Sequence, residues 1–319
     1  MILFAAARAA PPPVANGAET AGWAEVGAFY AFADASGGVE VCSGTLVAPR
    51  VVATAAHCVE KLEQYAAGGF RVYYLEGPSV EDFTSVTEVE QPVAHPDWNE
   101  RTVSWDIALV SLVDALATVP AALGTAAMDD TWAGREVRLV GWGNVDLEEN
   151  GSGVKREGTS VVLGVEEDQF QTTVSAGGAA TCPGDSGGAV FDESGASPVL
   201  VGVVSWGTVD VSADHPCGSV QGHARVDAAQ GWLAEQIAVF ERDDTGGAAD
   251  SADTAAAADS GEGGGPGSSE PREGEAGTNA CGCAAARGSQ GTGVLALGLL
   301  VRRCRSPGAR RATISPWCS

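Results

Sequence analysis

Between residues 37 and 240 the hydrophobic positions come in short β-rich runs rather than long stripes. The clearest are Val39-Glu40-Val41-Cys42, Val51-Val52-Ala53-Thr54, Arg71-Val72-Tyr73-Tyr74, Val137-Arg138-Leu139-Val140 and Val199 to Ser205. Clusters of Gly, Pro, Asn and Asp separate them. Short runs with turn signals between them, and little helical periodicity, predict an all-β sandwich or barrel. One helix is predicted at the end of this region. Asp227 stands as its N-cap, with Trp232, Leu233, Ile237 and Phe240 following at roughly helical spacing.

The flanks read differently. Met1 to Ala10 is mostly apolar and ends in small residues, like a signal peptide, but it is short and lacks a basic leading region. A truncated or mis-started signal fits it as well as a complete one. Pro11-Pro12-Pro13 is a stiff polyproline spacer. Residues 241–280 are mostly Gly, Ala, Ser, Asp and Glu, with no large apolar side chain. Such a segment buries too little surface to offset its ordering entropy, so a disordered linker is expected. The expected layout is a signal or propeptide remnant over 1–13, a globular domain over 14–240, an acidic linker over 241–280 and a distinct tail over 281–319.

Charge sharpens that layout. The chain of 319 residues carries a formal net charge of −24. Residues 14–240 hold −23 and 241–280 hold −8, whereas 281–319 hold +6, all from arginine. The acidic balance excludes a nucleic-acid partner, because phosphate binding needs a basic surface. Of the eight cysteines, Cys42, Cys58, Cys182 and Cys217 fall in the globular region and four in the tail. An even, spread-out set points to oxidised pairs and an extracytoplasmic location. No metal-ligand spacing is present; Cys281-Gly-Cys283 has no nearby histidine.

Three segments carry candidate chemistry. In Gly184-Asp185-Ser186-Gly187-Gly188 a serine is flanked by glycines that let backbone amides approach a ligand. It suits a nucleophile with oxyanion donors beside it, and it also suits a plain surface turn. Thr54-Ala55-Ala56-His57-Cys58 offers a base; Cys42, on the preceding run, is a potential partner for Cys58 that would fix the backbone beside His57. In Trp105-Asp106-Ile107-Ala108-Leu109 one acid heads an apolar run, either as an ordinary strand start or as a buried carboxylate that orients an imidazole. The remaining histidines, His95, His215 and His223, are expected at the surface or in loops.

In the order His, Asp, Ser, these segments resemble the signature segments of the chymotrypsin/trypsin-like serine proteases. Cys42-Ser43-Gly44-Thr45-Leu46, Gly141-Trp142-Gly143 and Ser205-Trp206-Gly207 add to the resemblance, which spans about Val14 to Phe240. It implies a double six-stranded antiparallel β-barrel, a serine endopeptidase acting on protein or peptide substrates, and no organic cofactor or metal. His57, Asp106 and Ser186 carry over as base, orienting acid and nucleophile, and the amides of Gly184 and Ser186 as the oxyanion hole. Ala180 carries over as the base of the primary pocket, where trypsin-like members have an acid. Ser205, Trp206, Gly207 and Gly222 carry over as pocket walls, and Cys182 with Cys217 as the bridge bracing them. An uncharged pocket implies apolar P1 residues, although Asp210 and Asp214 lie in the long loop that follows Gly207. Val14-Ala15-Asn16-Gly17 resembles the family's mature N-terminus, which implies an activation latch between Val14 and Asp185. Pro13 stands where family precursors have a basic residue. The alternative is a catalytically silent homologue that binds a partner through the same cleft.

The tail resembles, in degenerate form, the MYXO-CTERM kind of bacterial sorting signal: Cys281-Gly-Cys283, an apolar run of about eleven residues from Gly291, then Arg302, Arg303 and Arg305. That resemblance implies surface anchoring or release. The run is shorter than the roughly 20 residues of a membrane-spanning helix, and an altered, non-functional C-terminus fits the same residues.

Overall fold

In a computed structural model of the chain, the residues described are 14–15, 17–33, 37–147, 150–174, 178–208, 217–246 and 314–316. The expectations for residues 1–13, for His215 and the loop over 209–216, for the linker beyond 246 and for the Cys and apolar parts of the tail lie outside them. The chain divides into two units, one of Met1–Asp250 with Ala312–Ser319 and one of Ser251–Arg311. The second is entirely outside the described residues.

After a short strand β1 (Ala18–Glu19), the first unit builds β2 (Val26–Ala33), β3 (Gly37–Ala48), β4 (Val51–Thr54), β5 (Arg71–Glu76), β6 (Ser85–Ala94) and β7 (Ala108–Leu112). These close a barrel in the order β2-β3-β4-β7-β6-β5, every ladder antiparallel. The second set is β8 (Glu136–Gly141), β9 (Arg156–Val165), β10 (Gln169–Thr173), β11 (Ala189–Asp192), β12 (Val199–Thr208) and β13 (Val220–Arg225). It runs β9-β10-β13-β12-β11-β8 and closes where β8 pairs with β9. Closure satisfies the edge amides that open sheets leave exposed. All five runs singled out in the sequence lie in strands, and the expected double six-stranded architecture is the one observed.

The central strands β4 and β7 are buried along their whole length, which explains their continuous apolar sequence. Phe29, Leu46, Tyr74 and Leu109 fill the first barrel, and Phe170, Leu139, Val190 and Val204 the second. Trp23 stacks on Phe191 with ring centroids 4.5 Å apart, so the entry segment packs on the second barrel.

Two α-helices are present among the described residues. α1 (Ala56–Ala67) was not anticipated, although Ala56, Val59 and Leu62 recur every third residue on its buried face and Gly68 ends it. α2 (Gln230–Gly246) is the expected C-terminal helix, running past Phe240. Leu233 and Phe240 are buried by it, with Trp232 and Ile237 packed alongside. Asp227 is not its side-chain cap. Its carboxylate accepts from Met128 N at 2.8 Å and pairs with Arg225, where it ties a loop of the second barrel. Two histidines also depart from expectation. His95 is 6% exposed and His223, on β13, is fully buried. His223 Nε2 lies 2.8 Å from Thr172 Oγ1, and burial pushes its pKa down to about 3.

Candidate active site

β4 ends at Thr54 and α1 begins two residues later, so His57 sits in the first helical turn with its backbone set by both elements. Cys42 on β3 is bonded to Cys58, with Cα atoms 6.1 Å apart, which clamps that turn to the barrel wall. His57 Nδ1 lies 2.7 Å from Asp106 Oδ2, and His57 N donates to Asp106 Oδ1 at 2.9 Å. Both residues are buried. Ser205 Oγ donates to the same Oδ2 at 2.5 Å. Burial pushes the Asp106 carboxyl up. The charge and hydrogen bonds of His57, with the Ser205 hydroxyl, outweigh it and hold that carboxyl below its ordinary range. Ser205 reaches Asp106 because β12 carries a register shift between Val204 and Trp206; such a bulge re-aims the extra residue's side chain.

Asp106 is also held through its neighbour Trp105. Trp105 has φ +56, a left-handed conformation that is strained for a bulky side chain. Its ring stacks on His95, which also meets Trp232 of α2 edge-on at 4.9 Å. Its amide donates to Asp168 Oδ2 at 2.5 Å, and Asp168 belongs to the turn between β9 and β10 of the second barrel. The bulky Trp directly before the acid is the local sequence signal for this arrangement.

The serine loop is tied to the first barrel by Ser43, also unanticipated. Ser43 N donates to Ser186 O at 2.8 Å, Ser43 Oγ donates to Gly184 O at 2.9 Å, and Trp142 N donates to Ser43 Oγ at 3.0 Å. Gly187 has φ +81, and a Cβ there would meet Thr54 Oγ1 at 2.1 Å. Only glycine fits where the loop presses on β4. Among the described residues neither Gly184 N nor Ser186 N donates a hydrogen bond. Ser186 Oγ is buried and without a hydrogen-bond partner, so it is not bonded to His57 in this arrangement.

The Asp185 carboxylate is engaged elsewhere than with the His57–Asp106 pair. It accepts from Gly143 N at 2.9 Å and Cys182 N at 2.8 Å. Burial raises its pKa to about 6, against those two amides and the charge of Arg156. Beside the loop lies a second carboxyl, that of the half-buried Glu40. Its Oε2 accepts from Tyr30 Oη at 3.3 Å and from Ser152 Oγ, while Oε1 is buried without a partner. Burial raises its pKa to about 8, and the charge of Asp185 adds to this. Val14 is 1% exposed, and Ala15 pairs with Ala180, whose amide donates to Ala15 O at 2.9 Å.

The remaining expected site residues gather on β12, β13 and the segment before Ser186. Trp206 faces Gly222 across the β12–β13 ladder, and a Cβ on Gly222 would lie 2.0 Å from the Trp206 ring. Gly207 pairs with Gln221. Cys182 and Cys217 are bonded, Cα atoms 5.2 Å apart, and pack with Ala15 and Ala180. Thr181, next to Ala180, was missed; its hydroxyl is buried without a partner. Cys42, His57 and Cys58 bring potential ligand atoms within 4.8 Å of one another, but the two sulfurs are bonded together and are not thiolate donors.

The Trypsin family model matches residues 22–233. Glucanase inhibitor protein 3 of Phytophthora infestans is 29% identical over 183 residues, covering 54% of this chain and 70% of that protein. Trypsin of Simulium vittatum is 27% identical over 199 residues, covering 56% and 76%. Serine protease 56 of Mus musculus is 30% identical over 220 residues, covering 63% of this chain and 35% of that longer protein. The solved structure titled "Structure of GrC" superposes with a TM-score of 0.55 over 70% of this chain and 98% of its own, at 22% identity, a likeness of fold alone. With the family model matching more than half of its length, the chain belongs to the trypsin family of serine proteases.

Proposed function

We propose that this chain is a secreted or surface-tethered serine endopeptidase. Ser186 Oγ attacks the scissile carbonyl, and His57 takes its proton and passes it to the leaving amine. Water then enters by the reverse route and releases the acyl group from Ser186. Asp106 holds the imidazole tautomer and balances its charge. The amides of Gly184 and Ser186 receive the oxyanion. The observation that carries this reading is the buried 2.7 Å bond between His57 Nδ1 and Asp106, together with a serine whose hydroxyl and amide, like the amide of Gly184, are uncommitted among the described residues. Ala180 at the pocket base supports a preference for uncharged, apolar P1 residues.

Activation follows the same logic. Cleavage before Val14 frees an amine to pair with Asp185, an acid that, among the described residues, has amide donors but no ion pair. N-terminal sequencing of active protein should begin at Val14; another start sinks this step. The two disulfides favour an oxidising compartment.

A second reading, a catalytically silent homologue that binds a partner through the cleft, is favoured by one observation, the relative named as a glucanase inhibitor. A fluorophosphonate probe separates the two. It should label the chain covalently and fail on Ser186→Ala; an unlabelled wild-type chain, activated or not, rejects the enzyme. A peptide library cleaved after Arg or Lys would reject the apolar pocket.

A further inference from the structure

Glu40 reaches the serine loop from β3. The β2–β3 ladder shifts register there: Phe29 faces Cys42 and Tyr30 faces Glu40, so Val41 is the extra residue of a bulge. A bulge re-aims the side chains beside it. Two hydroxyls, from Tyr30 on β2 and Ser152 in the loop before β9, donate to Glu40 Oε2. Oε1 is buried without a hydrogen-bond partner. It lies against Gly184: a Cβ on that glycine would stand 3.2 Å from Glu40 Oε1 and 2.8 Å from Gly143 Cα. Gly184 is therefore packed between Gly143 and Glu40, while Ser43 Oγ donates to its carbonyl at 2.9 Å. Its amide, which donates no hydrogen bond among the described residues, is one that the proposed function gives to the oxyanion.

Those contacts fix where a proton sits. Oε2 already accepts from two hydroxyls, so a proton on the carboxyl resides on Oε1, the oxygen that faces Gly184. Ionised, Oε1 would be a buried negative oxygen without a donor, which is costly. The groups around it do not remove that cost. Asp185, in the serine loop, adds a like charge. Tyr30 stays neutral, its hydroxyl pushed up by burial and by Glu40. Arg156, on β9, is cationic, but its Nη1 donates to the carbonyls of Gly151 and Val154. Burial raises the Glu40 pKa to about 8, against the Ser152 hydrogen bond. The carboxyl is thus mostly neutral at pH 7 and mostly charged at pH 9.

We infer that Glu40 is a positioning residue for the oxyanion site: as a neutral carboxyl it backs Gly184, and its ionisation sets a negative charge beside that donor and lowers turnover. A carboxylate there repels the oxyanion that the Gly184 amide must hold, in a buried site where such a charge is poorly screened. The penalty falls on the transition state, which carries the oxyanion, rather than on bound substrate, so it enters through kcat. This consequence rests on the endopeptidase reading; the titration of Glu40 beside Gly184 does not.

The first measurement needs no turnover. In the full chain carrying Ser186→Ala and labelled with 15N-glycine, the Gly184 amide resonance should titrate with a midpoint of about 8, and Glu40→Gln should abolish that titration. Ser152→Ala keeps the carboxyl and removes a donor that favours its charged form, so it should move the midpoint to higher pH. A Gly184 amide indifferent to Glu40→Gln overturns the placement. The second measurement takes kcat and KM at pH 7 and pH 9 for a chromogenic peptide with an apolar P1 residue, using the Ser186-intact chain. The ratio of kcat for Glu40→Gln to kcat for the parent should rise about tenfold between the two, with the KM ratio unchanged. The ratio cancels groups that titrate in both chains, such as the freed Val14 amine. A constant ratio overturns the role. A Gly184 titration with no hydrolysis by parent or variant rejects the endopeptidase reading, and this role of Glu40 with it.

Discussion

Trp105 lies flat against His95, ring centroids 4.6 Å apart and planes 11° from parallel, and the next residue in the chain is Asp106. The stack holds a left-handed tryptophan in place at the point where the acid must be aimed at His57. An aromatic pair of this kind is worth roughly 0.5–1.5 kcal/mol beyond its area burial, comparable to the ~1–3 kcal/mol that such a backbone costs. Trp105→Ala removes the stack and keeps the strain. Turnover should fall about tenfold, equivalent to ~1.4 kcal/mol, with KM nearly unchanged. Trp105→Asn, which tolerates the left-handed region, should retain more activity. Separate determination of kcat and KM checks both.

Ser205 holds the same carboxylate from the opposite barrel. Its hydrogen bond is to a charged, buried acceptor, a class worth roughly 1.5–3 kcal/mol. Ser205→Ala should therefore lower kcat by roughly 10–100-fold. The acid limb of the pH–rate profile should shift as well, because Asp106 loses a donor that steadies its charge. An unchanged profile with wild-type kcat would show that Asp106 needs no help from β12.

Glu40 and Asp185 make stability depend on pH. Both carboxyls have raised pKa values in the folded chain, so the folded state binds more protons than the unfolded one above the ordinary carboxylate range. For Glu40 that window runs from 4.5 to about 8, and for Asp185 from 3.8 to about 6. Stability should fall as pH climbs through these windows. Glu40→Gln should flatten the upper part, giving a variant that gains on the parent at pH 8 more than at pH 5. Thermal unfolding at the two values is the test, and parallel curves would reject it.

Removing the Cys42–Cys58 bridge with a Cys42→Ser, Cys58→Ser double variant should cost roughly 2–5 kcal/mol. That corresponds to a fall in Tm of roughly 4–20 °C for a domain of this size. Activity should drop further than the unfolded fraction explains, because the bridge fixes the turn that carries His57. Calorimetry alongside active-site titration separates the two losses.

The sequence by itself determined the strand class, the closed-barrel resemblance, the His, Asp and Ser segments and their order. These are local signals: β-rich runs, glycine-flanked serine and cysteine spacing are written within a few neighbouring residues. It could not show that Asp227 would be drawn from its helix to Met128 and Arg225, because the competing donors lie about 99 residues away or across a turn. Nor could it show that His95 and His223 are buried, since burial depends on which elements close over them. Only the tertiary structure decided what aims Asp106: a stack on His95, an amide held by Asp168 and a hydroxyl delivered by a bulge in β12. Two of these contacts join residues 63 and 99 apart in the chain, and the stack closes the loop between β6 and β7. Their geometry is fixed by barrel closure and packing, which no local pattern encodes.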